Sequence, residues 1–280
     1  MVNSQEIKNL QEIAYELRVS VIKTLAHAKS GHSAGALGLA DIFSALYFKF
    51  LKINPENPND ENRDRLVLSA GHVCPILYST LAKKGFFKEE ELLTLRNINS
   101  NLQGHPHNLD LPGVENSSGP LGQGISAGIG IALNAMIKNQ NYHTIVIGSD
   151  GELQEGQAWE AAMFASQHKL KRFIWIIDKN NIQIDGFTKD ILSLDPLKEK
   201  FKSFGFEVYE IDGNKMEEIC LALDTCLDII ESPVIIIANT VPGKGVNFME
   251  YKFEWHGKPP SKEEEILALK SLEENYKNAK

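Results

Sequence analysis

Two short, β-branched apolar runs, Thr144-Ile145-Val146-Ile147 and Phe173-Ile174-Trp175-Ile176-Ile177, flank residues 155–168, where Trp159, Ala162, Met163 and Ala165 recur at helical spacing. A strand-helix-strand unit of this kind crosses over between parallel strands, so both strands finish on the same edge of one sheet. The first run leads into Ser149-Asp150-Gly151 and the second into Asn180, thirty residues after the aspartate. Asp150 and Asn180 therefore emerge side by side in the crevice where open α/β sheets take their ligands. A carboxylate and an amide oxygen offered together suit a small hard cation such as magnesium, which takes few protein oxygens and completes its octahedron with phosphate and water. An Asp-Gly after a strand is by itself an ordinary tight turn. The paired Asn, followed by Ile182 and Asp185-Gly186, is what points to metal.

The remaining periodicities repeat the same architecture. Residues 4–28 place Ile7, Leu10, Ile13, Ala14, Leu17, Val21 and Leu25 on one face, an amphipathic helix that delivers the chain to Ser30-Gly31-His32. A second helix, 37–51, is apolar nearly all round, as an element buried between layers or subunits is. A polar connector from 54 leads to a strand at 65–68 and the loop Ser69-Ala70-Gly71-His72. The helix at 122–137 opens with glycines at 122, 124, 128 and 130, a spacing that permits close approach either of a neighbouring helix or of a diphosphate at its amino end. Strands at 206–211 and 234–239 enclose a helix at 215–230, and Ser261-Lys262-Glu263-Glu264 resembles a capped helix start. Repeated βα units predict a doubly wound α/β fold, a mostly parallel sheet with helices on both faces. With 280 residues, 42% hydrophobic and without a linker-like stretch, one domain spanning 1–280 is expected.

Charge and cysteine usage narrow the partners. Against 37 acidic residues stand 29 basic ones, a net charge of -8 with no long basic stripe, which argues against nucleic acid as the main partner. Anionic small substrates are compatible, because a few local cations decide that. Cys74, Cys220 and Cys226 are odd in number and lack ligand spacing, so neither a disulfide framework nor a zinc site is expected. No apolar run approaches a membrane span and residues 1–20 lack a signal-peptide pattern, so the expectation is a cytoplasmic protein without membrane contact.

Four histidines sit at or near glycine in predicted loops: His32 after Ser-Gly, His72 after Ala-Gly, His105 after Gln-Gly, and His256 before Gly257. Any one of them alone reads as a surface or capping histidine. Four together suit a site built from loops at one sheet edge, since imidazole titrates near neutrality. The segments SGHSAGALG at 30–38, LSAGH at 68–72, GHP at 104–106, SGPLGQG at 118–124 and WHGK at 255–258, in this order and with the metal segment, resemble the transketolase family over nearly the whole chain.

The resemblance implies a thiamine diphosphate-binding fold with Mg²⁺, for which Ca²⁺ or Mn²⁺ could substitute, held by Asp150, Asn180 and the main chain of Ile182. It implies that His32, His72, His105 and His256 line the channel above the thiazolium, contact donor hydroxyls and move protons. His72 and His256 would also hold the cofactor, with Gly119, Pro120, Leu121, Gly151, Glu152 and Asn180. Lys244, in Pro242-Gly243-Lys244-Gly245, either supplies a positive group near the phosphates or is an ordinary solvated lysine. Glu155 and Glu160 resemble carboxylates at the family's dimer interface; the alternative is a solvated helix face. Two departures stand out. Ser149 replaces the usual Gly before the metal Asp and narrows the space beside the diphosphate, and Ser33 replaces a frequent Pro, which should loosen its loop.

A full-length transketolase is more than twice as long, and its second domain supplies the glutamate that activates the cofactor; residues 261–280 have no room for it. The expectation is therefore the N-terminal subunit of a split transketolase, transferring a two-carbon ketol unit from a ketose or ketose phosphate to an aldose or aldose phosphate. The pyrimidine-binding and C-terminal domains would sit on a separate partner chain in an α₂β₂ assembly. The alternatives are a noncatalytic half that binds thiamine diphosphate or a partner, and a 1-deoxyxylulose-phosphate synthase-like enzyme.

Overall fold

The computed structural model describes residues 2–279. Helices α1 (Ser4–Ala28), α2 (Ala34–Gly38) and α3 (Ala40–Ala45) precede strand β1 (Arg65–Leu68); α4 (Cys74–Lys84) and α5 (Gln123–Ile137) lead to β2 (Thr144–Ser149), and α6 (Gly156–Gln167) leads to β3 (Phe173–Lys179). A small antiparallel hairpin of β4 (Ile182–Gln183) and β5 (Gly186–Phe187) follows, then α7 (Thr188–Ile191), α8 (Leu197–Phe204), β6 (Glu207–Asp212), α9 (Met216–Asp228), β7 (Val234–Asn239) and α10 (Lys262–Ala279). The main sheet has the order β1-β2-β3-β7-β6 and every pairing in it is parallel.

Because side chains alternate across a strand, each central strand feeds two separate cores. Ile145, Ile147, Ile174, Ile176, Val234 and Ile236 join the core under α1, α3, α4 and α9. Val146, Phe173, Trp175, Ile177, Ile235 and Ile237 join the other, under α5, α6 and α8. Helices thus cover both faces, as the βα repeats predict. Fully burying one such aliphatic side chain contributes about 1.5–3 kcal/mol, and the central strands do so on both sides.

Local chemistry fixes the ends of the long helices. Asn3 caps α1 by accepting from the N–H groups of Gln5 and Glu6, and the Glu6 carboxylate accepts in return from Asn3 N–H at 3.0 Å. The apolar helix expected at 37–51 begins earlier and is not uniform: α2 and α3 are followed by one wide turn at Leu46–Phe50. It is buried nearly all round, and its one charged core residue, Asp41, pairs with Arg18 of α1. The glycines of α5 serve an approach to the sheet itself. A Cβ at Gly124 would lie 2.5 Å from the Ser69 Cα, and one at Gly128 would lie 2.3 Å from a Val146 methyl. The helix therefore rests directly on β1 and β2, with its amino end at the carboxyl edge of the sheet. Among the described residues no helix is long and apolar enough to cross a membrane.

Candidate active site

The ends of β2 and β3 meet as the crossover requires. Ser149 is in register with Asp178, and Asp150 N–H donates to the Asp178 carbonyl at 3.0 Å. The Asp150 carboxylate is then gripped from both sides: Oδ1 accepts from Gly151 N–H at 2.7 Å and Oδ2 from Asn181 N–H at 2.6 Å. Asn181 offers that N–H from a left-handed conformation, φ 61°, which asparagine tolerates well. Asn180 follows, with Oδ1 accepting from Ile182 N–H at 3.0 Å. Asp150, Asn180 and Ile182 are thus brought to one place.

That place suits a cation. Asp150 is 1% exposed, and burial, with the charge of Asp178 behind it, pushes its carboxyl up to about 7. The hydrogen bonds that reach Asp150 and Asp178 come from neutral groups. Two buried carboxylates held by neutral donors are costly unless more positive charge joins them than the nearby Lys179 supplies. Carboxylate, amide and main-chain oxygens are the donor set of a hard divalent ion.

Glu152 is placed differently from expectation. It is fully buried, and its oxygens are engaged by the protein: Oε1 accepts from the Ser69 hydroxyl at 2.5 Å and Gly122 N–H at 2.7 Å, Oε2 from Ser149 N–H at 3.3 Å. The carboxylate points inward and ties together three loops, those leading to His72, to α5 and to Asp150. Burial raises its pKa, and the three donors oppose that. Ser149 takes part, since its Oγ accepts from Glu152 N–H at 3.3 Å.

Gly119, Pro120 and Leu121 run between these loops. A Cβ at Gly71 would lie 3.0 Å from Gly119 N, so the small residue lets the two backbones close up, and Gly119 lies beside the His105 ring. The Leu121 carbonyl accepts from Gln157 Nε2 at 2.9 Å, which anchors the segment to α6.

The histidines converge from separate loops. Ring centroids of His32 and His72 are 5.1 Å apart, those of His72 and His256 5.1 Å, and those of His32 and His256 5.8 Å. His105 packs beside Gly119 and is felt electrostatically by both His32 and His72. Among the described residues, the buried Nδ1 atoms of His32 and His256 and the buried Ser118 hydroxyl have no hydrogen-bond partner, which marks polar capacity the fold itself leaves unused. Burial lowers the pKa of all four rings, well below the ordinary value for His72 and to about 4 for His32, where neighbouring His256 and Arg96 add to the effect. At neutral pH they are uncharged imidazoles, each able to donate at one nitrogen and accept at the other.

The sign of this shift has a measurable consequence. The unfolded chain takes up a proton at His32 near 6.5 and the folded one near 4, so the folded state loses stability as pH falls through that window and gains none from this group above it. NMR titration of the ligand-free chain should find the His32 ring neutral at about pH 5.5. A midpoint above about 6 would mean that the ring is solvated, contrary to the packed cluster.

Two other residues end up where sequence did not put them, or do more than it suggested. Ser33, expected to loosen its loop, tightens it: the hydroxyl is fully buried and donates to the Lys258 carbonyl at 2.6 Å, linking the His32 and His256 loops. Lys244 lines a separate groove with Lys8, Arg18, Asp41 and Tyr276, and the structure does not bring it to Asp150. The cause is the turn at Gly243, φ 77°, packed so closely on the Met249 backbone that a Cβ would lie 2.7 Å from it. Glu155 and Glu160 are exposed at the start and on the outer side of α6, where Met163 and Phe164 are also exposed.

Sequence reading missed Asp178, Thr240, Ser69 and Arg96. Arg96 donates to the Ser30 hydroxyl at 2.9 Å and lies against Gly104, where a Cβ would be 2.8 Å from its guanidinium carbon. It thereby braces the His32 and His105 loops from outside. Its left-handed φ of 62° leaves no local signal in the sequence.

Comparison with known proteins agrees with this geometry. The family model for the transketolase thiamine diphosphate-binding domain matches residues 9–276. The chain is 36% identical over 269 residues to one of the subunits of the apulose-4-phosphate transketolase of Phocaeicola vulgatus, covering 96% of this chain and 95% of that protein. It is 38% identical to the 6-deoxy-6-sulfo-D-fructose transketolase subunit SqwG of a Clostridium species, covering 96% of this chain and 98% of that one. Among solved structures, transketolase from Campylobacter jejuni superposes with a TM-score of 0.87 at 37% identity, covering 99% of this chain and 43% of that one. The chain therefore spans less than half the length of that solved transketolase but nearly all of the two subunits just named. It belongs to the transketolase family, of which it carries the N-terminal, thiamine diphosphate-binding domain.

Proposed function

We propose that this chain is the diphosphate-binding subunit of a two-chain transketolase that moves a two-carbon ketol unit from a ketose or ketose phosphate to an aldose or aldose phosphate. The observation that carries the reading is the meeting of the Asp150–Asn180 loops with a packed cluster of neutral histidines at one sheet edge. Residues 1–280 act as one diphosphate-binding domain, and the pyrimidine-binding and C-terminal domains are contributed by a separate chain. The names of the two relatives, both of them subunits of transketolases, support this division.

Thiamine diphosphate, when bound, supplies the chemistry that breaks and remakes a carbon–carbon bond beside a carbonyl. The protein's part is to bind, orient and move protons. Asp150, Asn180 and the Ile182 carbonyl would hold Mg²⁺, or Ca²⁺ or Mn²⁺ in its place, which would supply positive charge for the diphosphate. The backbone of Gly119, Pro120, Leu121 and Gly151 lines the diphosphate, while Glu152 holds these loops in register from behind rather than touching the cofactor. His72 and His256 face cofactor and substrate; His32 and His105 take the donor hydroxyls and pass protons as the sugar carbonyl and hydroxyl interconvert. Exposed Glu155, Glu160, Met163 and Phe164 form a mixed polar and apolar face on α6 suited to a second copy of the chain, which gives α₂β₂ with two partners. Three free, buried cysteines suit the reducing cytoplasm.

Transfer assayed on the chain with its partner, alongside cofactor binding, tests the assignment of roles. Alanine at His32 or His105 should depress turnover with cofactor binding nearly intact, and alanine at His72 or His256 should weaken both. Negligible effects at all four positions would remove the support for this site.

A further inference from the structure

Asp178 is the penultimate residue of β3, two residues before Asn180, and is 1% exposed. Its oxygens meet two neutral donors: Oδ2 accepts from Asn180 Nδ2 at 2.7 Å, and Oδ1 accepts from the Thr240 hydroxyl just beyond β7. The other end of the Asn180 amide accepts from Ile182 N–H at 3.0 Å. An amide has one donating and one accepting end, so these two contacts together fix its orientation and leave the second lone pair of Oδ1 for a ligand. An anionic acceptor on the N–H₂ end also draws electron density toward the carbonyl oxygen. Carboxylates one shell out from a metal orient and strengthen its ligands in this way.

We propose that Asp178 is a positioning residue for the cation: it fixes and polarises Asn180 as an oxygen donor and adds a buried negative charge behind the site, without touching the metal. Thr240 holds the carboxylate in place, so the end of β7 takes part in cation binding although it supplies no ligand. The inference rests on the reading of Asn180 as a ligand. It assigns a task to a charge that hydrogen bonds from neutral groups do not otherwise compensate. A buried carboxylate kept only for structure would be a poor choice, since a buried charge without an opposite one is costly.

Asp178→Asn separates the two roles. Asparagine has the same shape and can rotate so that Oδ1 accepts from Asn180 while Nδ2 donates to Thr240 Oγ1; both hydrogen bonds survive and only the charge is lost. In the complex with the partner, with excess thiamine diphosphate present throughout, Mg²⁺ measured calorimetrically should bind about ten- to a hundred-fold more weakly than to the unsubstituted chain. The melting temperature without Mg²⁺ should be unchanged or higher. Unchanged Mg²⁺ affinity, or a fall in the metal-free melting temperature or loss of the fold, would overturn the proposal. Asn180→Ala in the same titration tells its failure from that of the reading beneath it. Weakened binding in Asn180→Ala with none in Asp178→Asn sinks the positioning role alone; unchanged binding in Asn180→Ala sinks the ligand assignment and the positioning role with it.

Discussion

Asp150→Ala is expected to abolish retention of thiamine diphosphate. The substitution removes the one anionic group among the three proposed oxygen donors, and a small hard cation tolerates a defective octahedron poorly. It also frees the Gly151 and Asn181 N–H groups that now converge on the carboxylate at 2.7 and 2.6 Å, so the two loops lose the contact that holds them together. The fold itself should survive, because Asp150 lies past the end of β2, outside both hydrophobic cores. Stability without ligands should fall little or even rise, since a carboxyl pushed up to about 7 is a strained guest in its site. Calorimetry on the complex with the partner checks this, and cofactor affinity unchanged by the substitution would remove Asp150 from the site.

Ketol transfer should be absent from the purified chain and restored when the partner is added. Most of the recognisable family length beyond this domain lies outside its residues: the match to the Campylobacter transketolase covers 99% of this chain and 43% of that one. The group that activates the cofactor is expected on the pyrimidine-binding half, and neutral histidines alone do not replace it. Mixing the chain with the product of an adjacent gene of about 300 residues, the size of one α/β domain, should give transfer between a suitable ketose and aldose. Sedimentation of the active mixture should give two copies of each chain, with the exposed α6 face buried between the copies. Robust transfer by the chain alone would overturn the two-subunit reading. A mixture that binds cofactor but never turns over would instead favour a noncatalytic half.

The architecture, and the meeting of Asp150 with Asn180, were legible in the amino-acid order alone. Strand and helix periods are local properties, and the hand of a parallel crossover is nearly fixed, so two strand ends thirty residues apart can be placed together without coordinates. The amphipathic face of α1, the strands of the sheet and the helix after β6 follow from the same periods. The four histidines were legible only as loop residues, and it was the order of family-like segments around them that suggested one site.

Where side chains point once the chain leaves a regular element was not legible in that way. Glu152 follows Asp150-Gly151 and reads as a cofactor contact, but a turn directs it inward to Ser69, Gly122 and Ser149. Lys244 is directed into another groove by the turn at Gly243. Ser33, read as a loosening substitution, closes a hydrogen bond to a residue 225 positions away. Asp178 reads as the ordinary end of a strand until the parallel register with β7 brings Thr240 beside it. Loop dihedrals and long-range register carry no period, so the groups that orient the site are set by packing between elements distant in sequence, and only the folded chain reveals them.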